Sequence, residues 1–171
     1  VARQQAAHPG LFLRTLDSLQ GHGAPLLRPR ASEQYDFEGE ITVVIGKPGR
    51  AIAREQALEH VFGYTILMDG SVRDYQTHSV TAGKNFWRSG SAGPWIVTAD
   101  EVPDPSALQI STRLNGTVVQ QAGADTMIHD IPALIAYVSS WTPLRAGDLI
   151  ATGTPAGVGL SRKPPLWLRE G

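Results

Sequence analysis

Two glutamates, Glu38 and Glu40, stand two residues apart in the run Phe37-Glu38-Gly39-Glu40-Ile41-Thr42-Val43-Val44-Ile45-Gly46. Alternate residues of a β-strand share one face, so both carboxylates would converge there. Acidic residues are depleted in strands, and like charges on one face repel. Solvent, cationic side chains or a bound cation must compensate. Asp69 ends a second apolar run, Tyr64-Thr65-Ile66-Leu67-Met68, just before Gly70, where a loop can present it beside the first strand. Three hard oxygen donors, with no Cys and no paired His, suit Mg2+ or Mn2+ rather than zinc and leave positions open for water or substrate. For Glu38 and Glu40 alone, two solvated carboxylates at a strand edge are the plainer alternative.

Cationic and polar groups follow. Lys84 comes after Gly83 in Thr81-Ala82-Gly83-Lys84-Asn85-Phe86, and Arg73 and Gln76 lie shortly after Asp69. A lysine point charge and an arginine fork can neutralise and hydrogen-bond a carboxylate substrate. Routine surface charge is the alternative for each. Gly153-Thr154-Pro155-Ala156-Gly157-Val158-Gly159 lacks the Gly-Lys-Ser/Thr ending of a phosphate loop and reads as a tight backbone turn. His8, His22, His60, His78 and His129 show no metal-ligand spacing, and residues 89–93 do not form a nucleophile elbow.

The elements that must position these groups are short and mostly extended. A strand is expected over residues 38–46, stopped by Gly46 and Pro48, and another over 64–68. Between them, the spacing of Ala57, Leu58, Val61 and Phe62 predicts a helix over 54–62, ended by Gly63. Short strands are expected at 11–13, 94–98 and 149–152. Asn115-Gly116 between alternating runs predicts a hairpin with a type I′ turn, which also explains the glycosylation-like Asn115-Gly116-Thr117. Asp130 caps a helix running to Ser140, with Pro132 in its first turn. Trp87, Trp95, Trp141 and Trp167 read as core or interface anchors. Strand and helix do not alternate regularly, which argues against a doubly wound parallel sheet and for a mainly β fold with a few short helices.

The chain has 171 residues, of which 42% are hydrophobic and 18% charged, enough for one domain with a core. Fifteen Lys and Arg against sixteen Asp and Glu give a net charge of −1, which argues against a nucleic-acid partner. Without Cys, disulfides, thiolate zinc sites and cysteine nucleophiles are excluded. No apolar run approaches the ~18 residues of a membrane span, so no membrane partner and a cytoplasmic location are expected. The chain starts at Val1 without Met and stops abruptly at Arg169-Glu170-Gly171, so a single catalytic domain over residues 1–171 with further flanks at both ends is expected.

Several motifs then fall together in order. Tyr35-Asp36-Phe37-Glu38-Gly39-Glu40, Phe62-Gly63-Tyr64-Thr65-Ile66 leading to Asp69, Arg73-Asp74-Tyr75-Gln76, Gly83-Lys84-Asn85-Phe86, Gly93-Pro94-Trp95-Ile96-Val97-Thr98 and the turn at 152–159 closely resemble the fumarylacetoacetate hydrolase family. The resemblance runs from about residue 10 to the C-terminus. It implies a mixed β-roll or β-sandwich of that family's C-terminal-domain type, usually dimeric. By position, Glu38, Glu40 and Asp69 match its Mg2+ or Mn2+ ligands, while Lys84, Gln76 and Thr154 match substrate-contacting positions. The family's water-activating His and Glu sit on an upstream lid helix that would here precede Val1 or fall within residues 1–8, and His8 is out of register. Met68 stands where many members have Asn, Gly70 replaces a bulkier residue, and Arg14 stands where a Lys is common.

The expectation is a metal-dependent hydrolase that cleaves a C–C bond in an acylpyruvate-like 2,4-diketo acid such as fumarylpyruvate, in aromatic-compound catabolism. A 2-oxo carboxylate chelates a hard cation, which polarises the carbonyl and stabilises the enolate. In this reading Lys84 is catalytic, Arg73, Gln76 and Thr154 bind the 2-oxo acid, and the protein is a homodimer. The alternatives are a decarboxylase, isomerase or hydratase acting on a 2-oxo dicarboxylic acid, or a catalytically silent metal-binding relative.

Overall fold

A computed structural model describes residues 7–171. In chain order it contains β1 (Leu19–Gly21), β2 (Tyr35–Asp36), β3 (Gly39–Ile45), β4 (Val61–Met68), β5 (Ser71–Val72), α1 (Val80–Lys84), β6 (Gly90–Ala92), β7 (Val97–Thr98), β8 (Gln109–Leu114), β9 (Thr117–Gly123), α2 (Ile131–Trp141) and β10 (Leu149–Ala151). The main sheet has the order β1-β6-β4-β3-β10, and β7 also pairs with β4. β1 and β6 are parallel and the other pairs antiparallel, so the sheet is mixed. β2 with β5 and β8 with β9 form separate two-stranded ribbons. The mainly β fold class expected from the sequence is the one observed.

β3 is the organising strand because both of its faces are buried. Ile41, Val43 and Ile45 alternate with Glu40, Thr42 and Val44, as the pleat requires. Val43 and Ile45 enter the main core with Tyr64 of β4, Ile131, Leu134 and Ile135 of α2, and Ile150 of β10. Each such burial stabilises the fold by roughly 1.5–3 kcal/mol against exposure. α2 starts where the capping signal places it, with the Asp130 carboxylate accepting from Ala133 N at 2.9 Å. The hairpin turn also follows its sequence, since Asn115 and Gly116 have φ of 49° and 80°, the paired positive values of a type I′ turn.

Other expectations are corrected. The helix over 54–62 is instead a 3-10 helix at Arg54–His60, and the chain enters β4 at Val61. Gly63 therefore does not end a helix. It lies inside β4, where a Cβ would sit 2.2 Å from Val97 O of the paired strand. Helical spacing misled because only Ala57 of that segment is buried, while Val61 pairs with Ile45. Residues 11–13 form no strand; their backbone is tied instead to a side chain, with Asn85 Nδ2 donating to Leu13 O at 2.8 Å. Of residues 94–98 only Val97–Thr98 pair as a strand. Trp87, Trp95 and Trp141 are more than half exposed, which removes the core half of the expected core-or-interface role. The upstream lid segment lies outside the described residues apart from Ala7 and His8, and His8 stacks on Tyr137 with centroids 5.7 Å apart.

Candidate metal centre

The polar face of β3 supplies the first two acids. Glu40 lies on the strand at 4% exposure, and Glu38 immediately precedes it on the same face. Asp69, at 1% exposure, follows the end of β4, and its N–H donates to Glu38 O at 2.8 Å. That backbone bond fixes the loop against the start of β3. The three carboxylates meet, with one oxygen from each lying within 4.8 Å of the others. An ion about 2.1 Å from each oxygen would draw adjacent donors to about 3 Å of one another, so the three carboxylates would close in on it.

Cations surround two of the three acids. Lys84 Nζ, at the end of α1, donates to Glu38 Oε2 at 2.8 Å and to Asp69 Oδ2. α1 can deliver it because Gly83 presses against the preceding turn, where a Cβ would sit 2.3 Å from Gln76 Cγ. Arg73 Nη1 lies 2.7 Å from Glu38 Oε1 and donates to Gln76 Oε1 at 3.2 Å. Arg14 pairs with Asp69 Oδ1 and is itself held by Ser18 and Ser89. The Phe12 ring covers Lys84, with Nζ 5.1 Å from its centroid.

Glu40 is different. Its Oε2 accepts only the Gly153 N–H, at 2.9 Å, and among the described residues no Lys or Arg lies within ion-pair distance of it. Burial, with the neighbouring charges of Asp69 and Glu38, pushes its carboxyl up to about 8. The Thr42 hydroxyl, next on the same face, is buried without a hydrogen-bond partner. A cluster of buried oxygens that lacks positive charge at one corner fits a hard divalent cation.

The residues singled out in the sequence therefore gather in one place. Lys84, Glu38 and Asp69 are in direct contact; Arg73 touches Glu38, and Gln76 joins through Arg73. Thr154 closes the opposite side, its hydroxyl donating to Gly39 O at 3.1 Å between the two glutamates. The turn at 153–159 is tight, as expected, with φ of 96° at Gly153 and 109° at Gly157. Three residues given no site role from the sequence also belong here: Arg14, Asp36 and Gln120. Asp36 had a readable signal, because 36, 38 and 40 form an alternating acidic series. Gln120 had none, since a glutamine on a hairpin strand is ordinarily solvated. A surface cavity of about 490 Å3 lies elsewhere, at the start of α2, and none of the three acids lines it.

A mixed β-sheet carrying a buried triad of carboxylates on one strand face and an adjoining loop defines a class of protein with an all-oxygen site that could hold a divalent metal ion. The particular family follows from comparison. The C-terminal domain model of fumarylacetoacetate hydrolase matches residues 1–171, and the chain belongs to that family. Oxaloacetate tautomerase YisK of Bacillus subtilis is 41% identical over 167 residues, covering 96% of this chain and 56% of that protein. The fumarylacetoacetate hydrolase of Exiguobacterium antarcticum superposes with a TM-score of 0.92 at 40% identity, over 99% of this chain and 62% of that one. Fumarylpyruvate hydrolase of Pseudomonas aeruginosa, solved with Mn2+ and pyruvate, superposes at 0.79 with 34% identity, over 86% of this chain and 67% of that one. The chain spans about half the length of the curated relatives it matches. No helix among the described residues is long and apolar enough to cross a membrane.

Proposed function

We propose that this chain is the catalytic domain of a divalent-metal-dependent enzyme acting on 2-oxo acids through their enol form, with keto–enol tautomerisation of an oxaloacetate-like acid as its reaction. The observation that carries the reading is the buried triad of Glu38, Glu40 and Asp69 with Lys84 bridging two of its members. Relatives named oxaloacetate tautomerase, at 38–41% identity, support the choice of reaction. Mg2+ or Mn2+ held by the three acids would act as a Lewis acid on the 2-oxo carbonyl. Lys84 Nζ holds the negative charge developing on the enol oxygen, a contribution of about 2–4 kcal/mol for one such donor. Arg73 and Gln76 frame the carboxylate of the substrate, while the Thr154 hydroxyl, expected from the sequence to bind it, is committed to Gly39 O. Phe12 over Lys84 keeps water from the ammonium. A homodimer is part of the same reading and is checked by sedimentation.

Hydrolysis of a C–C bond is the second reading, favoured by the Mn2+ and pyruvate complexes of fumarylpyruvate and maleylpyruvate hydrolases. It needs an additional base to activate water. The described histidines are placed elsewhere: His8 on Tyr137, His22 beside Gly93, His60 on Lys47 O, His78 against Tyr75, His129 by the cavity at α2. Tautomerisation activates no water; it moves one proton between the enol oxygen and C3, and in this reading Lys84 Nζ takes the proton from the oxygen and returns one to the carbon. The test uses the full-length protein with Mn2+, following ultraviolet decay of enol-oxaloacetate and, separately, cleavage of fumarylpyruvate. Tautomerisation lost in EDTA and restored by Mn2+ is the expected result. Undiminished turnover in EDTA refutes the reading, cleavage of fumarylpyruvate alone selects the hydrolase, and Mn2+ binding without turnover selects a silent relative.

A further inference from the structure

Asp36 carries a fully buried carboxylate, at 0% exposure, that touches none of the three candidate ligands. Its Oδ1 accepts from Phe37 N at 2.8 Å and Gly159 N at 2.7 Å. Its Oδ2 accepts from Leu160 N at 2.9 Å and from Arg73 Nε at 2.8 Å, with Arg73 Nη2 also 2.8 Å away. One carboxylate thus joins two separate walls of the site. Through Arg73 it reaches Glu38, and through the Gly153–Gly159 turn it reaches the Gly153 amide that holds Glu40. The contact at Gly159 is close enough that a Cβ there would lie 2.6 Å from Asp36 Oδ1 and 1.8 Å from Leu166 O.

We propose that Asp36 is a positioning residue that restrains the Arg73 guanidinium, so that Arg73 orients Glu38 without displacing a metal ion from it. The role rests on the metal reading given above. Arg73 has two carboxylate partners, and the charge of Asp36 holds the Nε edge while Nη1 reaches Glu38. With Asp36 neutral, the whole guanidinium charge falls to Glu38, where it competes with a cation for the same oxygens. Loss of an outer partner of this kind typically lowers metal affinity by about 10–100-fold. A purely structural Asp36 would clamp the Gly159–Leu160 amides and nothing more. The two roles separate when Arg73 is removed as well.

Mn2+ affinity of the full-length protein, read by electron paramagnetic resonance, provides the test for wild type, Asp36→Asn, Arg73→Met and the double variant. Asp36→Asn is expected to weaken Mn2+ binding about tenfold or more, and adding Arg73→Met is expected to restore it to within about threefold of wild type. An unchanged affinity in Asp36→Asn, or a double variant as weak as the single, overturns the role. If Asp36→Asn does not fold, Arg73→Met alone decides: tighter Mn2+ binding with the Gly159 and Leu160 amides still slow to exchange supports it, and weaker binding or fast exchange overturns it. Failure of the wild-type protein to bind Mn2+ overturns the metal reading and this role together. Binding by wild type that is indifferent to Asp36 overturns this role alone.

Discussion

The two faces of β3 and of the residues leading into it do opposite things. On one, Val43 and Ile45 pack against Tyr64, Leu134 and Ile135 in a dry core. On the other, Glu38 and Glu40 share a buried pocket with Asp69, and further out Asp36; three cations answer these four carboxylates. The first face stabilises the fold by removing apolar area from water. The second lowers stability, since each buried charge must recover its lost hydration from neighbours, and Glu40 has no cation to help it. Such an expense persists where a site needs it, and a rigid, well-packed strand keeps the carboxylates converged.

The sharpest way to break this contrast is one substitution on each face. Glu40→Gln is expected to lower metal-dependent turnover by more than the ~10–100-fold typical of outer-shell losses, because a ligand itself is removed. It should leave the thermal midpoint equal to or above that of the metal-free wild type, because a glutamine is neutral without taking up the proton that burial forces on Glu40. Ile45→Ala is expected to cost about 2–5 kcal/mol of stability while the folded fraction keeps its turnover. Unfolding in urea and turnover per folded molecule measure both. A Glu40→Gln protein that unfolds as easily as Ile45→Ala would erase the distinction between the faces.

This division was largely legible in the sequence. The alternation of Glu38 and Glu40 required one polar face, the β-branched Ile41, Val43 and Ile45 that follow required one apolar face, and Asp69 at the end of a second strand completed the set. Long-range partners were not legible. Nothing local connects Arg14 to Asp69, 55 positions away, or Gln120 to Gly39, 81 away, since these contacts arise only when separate ribbons fold onto the sheet. The segment at 54–62 failed for another reason. Its apolar residues satisfy helical spacing, but pairing of Val61 with Ile45 in the sheet overrode that preference.

The pH dependence of stability sharpens the contrast next. In the metal-free protein Glu40 keeps its proton up to about 8, whereas the unfolded chain releases it near the ordinary value of 4.5. Between these limits the native state binds more protons than the unfolded one. Stability therefore falls as pH rises, by up to about 1.4 kcal/mol per pH unit from this group. Glu40→Gln should remove that slope, and Ile45→Ala should leave it intact at a lower overall stability. Mn2+ competes with the same proton, so its affinity should rise with pH up to about 8. Urea unfolding in EDTA across pH 5–9 is the measurement, and a wild-type slope matching that of Glu40→Gln would refute the assignment.

The smallest expected effect concerns the wall opposite Lys84. Gln120, at 2% exposure, donates through Nε2 to Thr154 Oγ1 and Pro155 O, both at 2.8 Å, and accepts from Gly39 N at 3.0 Å. Thr154 in turn gives its single hydroxyl proton to Gly39 O. A hydroxyl committed in this way has no proton left to donate to a substrate carboxylate. Thr154→Val is therefore expected to cost about 1–3 kcal/mol of stability, from the Gln120 and Gly39 groups left unpaired, while KM for a 2-oxo acid changes little. Thr154→Ser, which keeps the hydroxyl, should behave as wild type in both. A large rise in KM for Thr154→Val without loss of stability would instead mean that this hydroxyl turns from the strand to the substrate, and that this wall belongs to binding rather than to the support of Glu38 and Glu40.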